Sequence, residues 1–146
     1  MSSRALAKKL GGRAAIGRDL KTDADLIGAV REGLPTAAMD AVVDGLANDD
    51  ISRSDLYRII GSERTLQRRI RERLPLSALE SDRLARLARI WLRAEEALGS
   101  SPRSRQWLAR PNRALRGQRP IDLLDSDTGT LAVDQVLGRI EHGVYE

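Results

Sequence analysis

Residues 51–73 read ISRSDLYRIIGSERTLQRRIRER, and they parse as two short helices on a tight turn. Ser52 is placed to cap the first, with Asp55 three residues on as the reciprocal partner of a capping box. Gly61 is expected to end that helix by taking the positive φ that closes a C-terminus at little cost. Ser62 then caps a second helix, with Glu63 in its first turn, where the helix dipole favours an anion. Leu66 and Ile70 are four apart and face inward together, which leaves Arg64, Thr65, Gln67, Arg68 and Arg71 facing outward. A short helix packed on another and exposing arginines and an amide has the make-up of a DNA recognition helix. The arginine fork pairs with guanine edges or phosphates, and Gln67 can pair with adenine. Ser62, Arg64, Thr65, Gln67, Arg68 and Arg71 are therefore the candidate DNA-binding residues. Arginines on a helix face are also an ordinary solvated surface, and the segment alone weighs the two readings about equally.

The rest of the chain sets the frame. Its 146 residues suffice for one domain or two small ones. Charged residues make up 32% and the apolar set 41%, the balance of a globular chain. Cysteine is absent and there is one histidine, so disulfides, thiolate sites and zinc sites of the usual kind are excluded. No apolar run is long enough to span a bilayer, and the N-terminus lacks the apolar core of a signal peptide. A cytoplasmic protein with no membrane association is the expectation. The aromatics are only Tyr57, Trp91, Trp107 and Tyr145, so Leu, Ile, Val and Ala must fill the core. That composition favours helices packed on helices, an all-α fold. The net charge of +4 is uneven. Residues 51–99 hold eleven Lys/Arg against seven Asp/Glu, whereas residues 1–50 hold seven against eight. The excess sits on the segment suspected of touching DNA, where phosphate neutralisation needs it.

Outward from that segment, residues 1–21, with Gly11, Gly12 and Gly17 among scattered cations, read as a flexible leader. Asp23, Asp25, Leu26, Ile27 and Val30 predict a short helix ended by Gly33. Pro35 sits at or near the start of a second one, with Ala38, Met39, Val42, Val43 and Leu46 on its apolar face. Asn48-Asp49-Asp50 is a polar turn. After Leu74-Pro75, Ser77 and Glu80 form another capping box and open a long helix to about Leu98. Its stripe of Leu84, Leu87, Ala88, Trp91, Ala94 and Leu98 fits either a core face or a seam between domains or copies. Gly99-Ser100-Ser101-Pro102 marks the clearest boundary, with Ser101 as the expected cap of a helix carrying Trp107 and Leu108. Pro111-Asn112 interrupts that helix, Pro120 starts a short turn, and Ser126-Asp127-Thr128-Gly129 is a loop before a last helix. Leu131, Val133, Val136, Leu137 and Ile140 are its expected buried face, and Gly143 ends it. Three segments follow: a leader over 1–21, a helix-turn-helix domain over 22–99, and a small helical domain over 100–146.

No catalytic or metal site is expected, and no cofactor. His142 is the only histidine and lies beside a helix stop. The pairs Glu95-Glu96 and Asp49-Asp50 are adjacent in sequence, so they do not converge. The glycines of the leader lack the phosphate-binding loop pattern and a preceding strand.

Residues 101–146 resemble the toxin-binding domain of the Xre/MbcA/ParS antitoxins. The resemblance rests on Trp107-Leu108, Pro111-Asn112 followed by Ala114-Leu115, Gly117, Pro120, Leu123-Leu124 and Thr128-Gly129. The ending Arg139-Ile140-Glu141-His142-Gly143-Val144-Tyr145 carries it further. Residues Leu56 to Leu87, with Thr65-Leu66-Gln67-Arg68-Arg69 and Glu80-Ser81-Asp82-Arg83-Leu84, resemble the Xre-like part of the same family. The resemblance implies an antitoxin for a RES-domain toxin that depletes NAD, neutralised when the C-terminal region covers the toxin's active site. It also implies a homodimer, a hetero-oligomer with the toxin, and binding to the promoter of its own operon. The toxin-binding residues it implies are Trp107, Asn112, Arg139, Glu141, His142, Gly143, Val144, Tyr145 and Glu146. Glu146 departs from the family's ending in a small polar residue, and the helix-turn-helix departs from a strict repressor pattern in turn spacing. A transcriptional regulator without a toxin partner is the alternative reading.

Overall fold

Seven α-helices begin on a serine or threonine whose side chain accepts a hydrogen bond from the first turn. The caps are Ser2, Thr22, Ser52, Ser62, Ser77, Ser100 and Ser126. Each such cap satisfies an otherwise orphaned backbone N–H and is worth about 1 kcal/mol. The computed structural model describes residues 2–143. In order the helices are α1 (Ser3–Lys9), α2 (Gly12–Ile16), α3 (Asp23–Glu32), α4 (Thr36–Leu46), α5 (Arg53–Ile60) and α6 (Glu63–Glu72). They are followed by α7 (Ala78–Leu98), α8 (Ser101–Ala109), 3-10 turns at Arg113–Leu115 and Pro120–Leu123, and α9 (Asp127–Glu141). Among the described residues there is no strand, only an isolated bridge between Asn112 and Gln118. The fold is all-α.

The capping boxes expected at Ser52–Asp55 and Ser77–Glu80 both form, and Thr22 with Asp25 makes a third. Three local expectations do not hold. Gly61 has φ 176°, extended backbone open to any residue, because the chain runs straight from α5 into the Ser62 cap with no left-handed reversal. Ser100, not Ser101, caps α8, and Pro102 falls within its first turn. Leu131 is 58% exposed: it lies off the stripe that Val133, Val136 and Leu137 bury.

The larger correction concerns residues 1–21. They are no loose leader. Leu6 of α1 and Ile16 of α2, with Leu10 capping α1 and Leu20 on the approach to α3, are buried in the main core. α1 packs on α7 and α3, and α2 packs on α4. The ammonium of Lys9 lies 3.9 Å from the centroid of the Trp91 ring and pairs with Glu95. Weak local propensity in a glycine-rich stretch is overridden here by apolar burial, at about 1.5–3 kcal/mol for each fully covered Leu or Ile.

α7 is the wall that everything else leans on. Its stripe is core: Leu84, Leu87, Ala88, Trp91 and Ala94 are buried, as are Ala85, Ile90 and Leu92 around them. α1, α3, α4 and α5 pack on it from the N-terminal side, and α8 and α9 from the C-terminal side. α4 comes close enough that a Cβ on Gly45 would stand 2.3 Å from the edge of the Trp91 indole. One hydrophobic cluster therefore runs from Leu6 to Leu137 without a break. Arg93 fixes α9 to α7, bonding Asp134 at 3.1 Å and both carboxylate oxygens of Glu141 at 2.9 Å. Arg86 adds an ion pair with Asp127. No helix among the described residues is long and apolar enough to cross a membrane.

Candidate functional site

Two surfaces stand out. On α6, Leu66 is fully buried and Ile70 partly so, which pins the helix against the core. The opposite side carries Arg64, Gln67, Arg68 and Arg71, spaced i, i+3, i+4 and i+7, all exposed, with Thr65 half-buried beside them. These five residues line a single shallow hollow. Ser62 spends its hydroxyl on the cap, accepting from the Thr65 N–H. Arg68 lies a loose 3.9 Å from Glu72, an exposed pair worth little. Arg69, by contrast, turns inward to Glu80 at 2.6 Å. α6 ends on Arg73 in the left-handed conformation, φ 56°, with the Leu74 N–H bonded back to the Arg69 carbonyl. The result is a rigid helix offering guanidinium forks and one amide in a row, the chemistry that reads base edges and phosphates.

The second surface lies between the end of α8, the turn that follows it, and α9. Trp107, Asn112, Arg113, Ala114, Val136, Arg139 and Ile140 line a groove of about 320 Å³. Its floor is apolar and two arginines rim it. Trp107 also walls a neighbouring hollow that holds Arg103 and Arg110. None of these four arginines has a carboxylate within ion-pair distance among the described residues. Asn112 builds the rim. Its side-chain oxygen accepts from the Ala114 N–H, its carbonyl accepts from Leu115 and Gly117, and its N–H donates to the Gln118 carbonyl.

Three of the nine residues implied by the family resemblance, Trp107, Asn112 and Arg139, thus come together in the groove. Glu141 does not join them; it points back to Arg93 and holds α9 in place. His142 caps α9 and is exposed, and Gly143 follows it with φ 74°. Val144, Tyr145 and Glu146 lie outside the described residues. Sequence reasoning missed Arg113 and Val136 as lining residues. The signal was present for Val136, which stands four residues before Ile140 and three before Arg139 on one face of α9. Among the described residues no group of three or more His, Asp or Glu is placed to hold a metal ion.

A clamp connects the halves of the chain that carry these surfaces, away from both of them. Arg119, at the start of the second 3-10 turn, donates to the Asp50 carbonyl at 2.8 Å, to Asp122 at 2.8 Å and to Asp55 at 3.3 Å. Asp55 is also the capping-box residue of α5. The Asp122 carboxylate, and Asp55 after it, outweigh partial burial and hold the Arg119 proton more tightly than usual. Burial works to raise the Asp55 carboxyl, but the Ser52 N–H and the Arg119 guanidinium overcome it and hold it below the ordinary carboxylate range. A carboxyl depressed in the folded state stabilises the protein above its unfolded pKa, about 3.9, and that stability drains away as pH falls through the folded value. Asp55→Asn is therefore expected to flatten the loss of stability between about pH 5 and pH 2, read as the urea midpoint against pH. Asp40, raised by burial and by Asp44, works in the opposite sense and cancels in the comparison. A variant as acid-sensitive as the parent would dismiss the clamp as a stabilising contact.

Comparison with known proteins bears on both surfaces. Residues 25–89 match the model for the antitoxin Xre-like helix-turn-helix domain, which contains α6. Residues 93–143 match that for the antitoxin Xre/MbcA/ParS C-terminal toxin-binding domain, which contains the groove. The chain is 33% identical to an Antitoxin Xre of Photorhabdus laumondii, over 79% of this chain and 77% of that protein. It is 30% identical to an Antitoxin Xre of Yersinia enterocolitica, over 77% of this chain and 86% of that protein. It is 26% identical to a Prs ADP-ribosylating antitoxin of a Sphingobium species, over 83% of this chain and 80% of that protein.

Proposed function

Since the chain belongs to the Xre/MbcA/ParS antitoxin family, with its helix-turn-helix and toxin-binding domains, we propose that it neutralises a RES-domain toxin that depletes NAD. Neutralisation is steric: the C-terminal region covers the toxin's active site. The protein acts in the cytoplasm, performs no catalysis of its own, forms a homodimer and assembles with the toxin into a hetero-oligomer. The observation that carries this reading is the groove. An apolar floor of Trp107, Val136 and Ile140, with arginines around it that meet no carboxylate among the described residues, suits a partner surface that is apolar at its centre and acidic at its edge. ADP-ribosylation, the chemistry named for the Sphingobium relative, also draws on NAD. Arg139 and Ile140 line the groove and α9 ends one residue later at Glu141, so the tail is tethered beside the proposed contact.

The test is an NAD-depletion assay on a RES-domain toxin encoded next to this chain, with the antitoxin added whole or cut after Gly143. Protection by the whole chain and at least a tenfold loss of protection on truncation are expected, with the helical fold unchanged by circular dichroism. Equal protection by both forms would leave an antitoxin that acts through its folded groove and would remove the tail from the mechanism. Protection by neither would remove the toxin assignment.

A second activity is supported by α6: the antitoxin, with its toxin, binds the promoter of its own operon and represses it. Ser62, Arg64, Thr65, Gln67, Arg68 and Arg71 are the proposed contacts, and a dimer places two copies of α6 on a roughly palindromic site. Arg68→Ala is expected to weaken promoter binding by about 1–3 kcal/mol if Arg68 reads a base, and to relax preference at one position. Equal weakening on every duplex would assign it to phosphate instead. A helix-turn-helix regulator with no toxin partner remains the outcome if NAD is never protected but the promoter is bound.

A further inference from the structure

The groove beside α9 has an occupant within reach in the chain itself. Val136, Arg139 and Ile140 line it and stand at i, i+3 and i+4 on one face of α9, and Gly143 follows at i+7. The chain therefore leaves the helix on the groove side. His142 caps α9, and the Gly143 N–H donates to the Ile140 carbonyl at 3.1 Å with Gly143 in the left-handed region, φ 74°. That bond, from the residue after the cap to the second-last helical residue, belongs to the helix end that turns the chain back and sets the next residue against the last helical turn. The next residue here is Val144, followed by Tyr145 and Glu146.

Length and chemistry both fit. Ile140 and Val136 lie about 4.5 Å and about 10 Å back along the helix axis from Gly143, at about 1.5 Å per residue. Three residues in extended form span about 10 Å, which covers that floor and no more. The floor is apolar, built by Trp107, Val136 and Ile140, and Arg113 and Arg139 rim it. No carboxylate lines it among the described residues. Asp134 and Glu141, the acids on the second half of α9, are both held by Arg93 on the α7 side. A valine and a tyrosine suit the floor, and the Glu146 side chain suits either arginine. A tether this short gives the tail an effective concentration on the order of millimolar, so even a weak fit fills the groove.

We propose that, before the toxin arrives, residues 144–146 of the same chain fill this groove, with Val144 and Tyr145 on the floor and Glu146 at the arginine rim, and that the toxin displaces them. The displacement rests on the toxin reading of the groove; the docking does not. Toxin binding then exchanges an internal contact for an external one and frees the tail for the active site it is proposed to cover. Until then the tail stands in for the toxin surface and keeps an apolar groove out of water. The tail of a second copy would meet the same chemistry, but the short tether and the reversal at Gly143 favour the chain's own.

Trp107 reports on the groove, because the other tryptophan, Trp91, is buried and barely meets a quencher. Acrylamide quenching of tryptophan fluorescence is measured without toxin on the full chain, on the chain cut after Gly143, and on Tyr145→Ala and Tyr145→Phe. The cut chain and Tyr145→Ala are expected to quench about twofold more than the parent, the ratio for a tail docked about half of the time, and Tyr145→Phe to match the parent. Quenching unchanged by the cut, in a chain that melts like the parent, overturns the proposal and leaves the toxin reading of the groove as it stood. Protection of Trp107 that disappears on dilution from about 100 µM to about 1 µM also overturns it, since the tail then sits in the groove of a second copy. Association with the toxin is followed by stopped flow, and the cut chain is expected to bind about twofold faster because its groove is always open. Equal rates, once quenching has shown the tail docked, overturn the displacement and take the groove away from the toxin.

Discussion

Gly129→Ala is expected to destabilise the protein by about 3 kcal/mol and to weaken the proposed toxin neutralisation. The reason is steric, not conformational. Gly129 is in the first turn of α9 with an ordinary helical backbone, and a Cβ there would stand 2.0 Å from the Leu123 carbonyl oxygen and 2.9 Å from its carbon. Both are backbone atoms of a 3-10 turn that is itself packed on α8 and α9, so neither side can yield by a rotamer change. The start of α9 must lift, and Ser126 then loses its capping bond from the Gly129 N–H. The groove on α9 is displaced with it. For a chain of this length the melting temperature is expected to fall by roughly 10 °C, and inhibition of the toxin to weaken at temperatures where the variant is still folded. A variant that melts within a degree or two of the parent would show that the turn has slack the packing does not suggest.

Glu80→Ala is expected to cost about 2–3 kcal/mol and to loosen α6 specifically. Glu80 is only 8% exposed. One carboxylate accepts the Ser77 N–H at 2.8 Å to close the cap of α7, and the same oxygen lies 2.6 Å from Arg69 on α6. Removing it opens the capping box and strands a half-buried guanidinium. The partial exposure of Arg69 keeps the penalty below that of a fully buried pair. Glu80→Gln keeps an acceptor for Ser77 and removes only the charge, so it isolates the pairing. A double-mutant cycle with Arg69→Ala is expected to show coupling of about 1–2 kcal/mol, and promoter binding is expected to fall with it although neither residue faces DNA. Additive effects of the two substitutions would dissolve the link between α7 and the aim of α6.

What was legible in the sequence was local. A serine with a carboxylate three residues on is a complete instruction, since both partners of the capping box lie in one turn. The outward row on α6 was legible for the same reason: spacing alone assigns the face once Leu66 and Ile70 are known to be inside. The failures have a common cause in partners far along the chain. Residues 1–21 look unstructured by propensity, but Leu6 and Leu10 are held by helices that arrive tens of residues later. Leu131 has the right residue type and nearly the right register, and only the line of approach of α7 decides that it stays outside. The Arg119 clamp joins residues 64 apart, a separation no periodicity encodes. The groove is of the same kind. Trp107 was visible as a rare aromatic, but that Val136 would floor the same groove required the turn between them.

The shared wall of α7 has a consequence for how the protein fails. Its core has no seam between the half that carries α6 and the half that carries the groove. Melting is therefore expected to be a single cooperative event in which both surfaces vanish together. If α6 holds the operator and the groove the toxin, as proposed, no intermediate would keep one partner after losing the other, and derepression of the operon would coincide with release of the toxin.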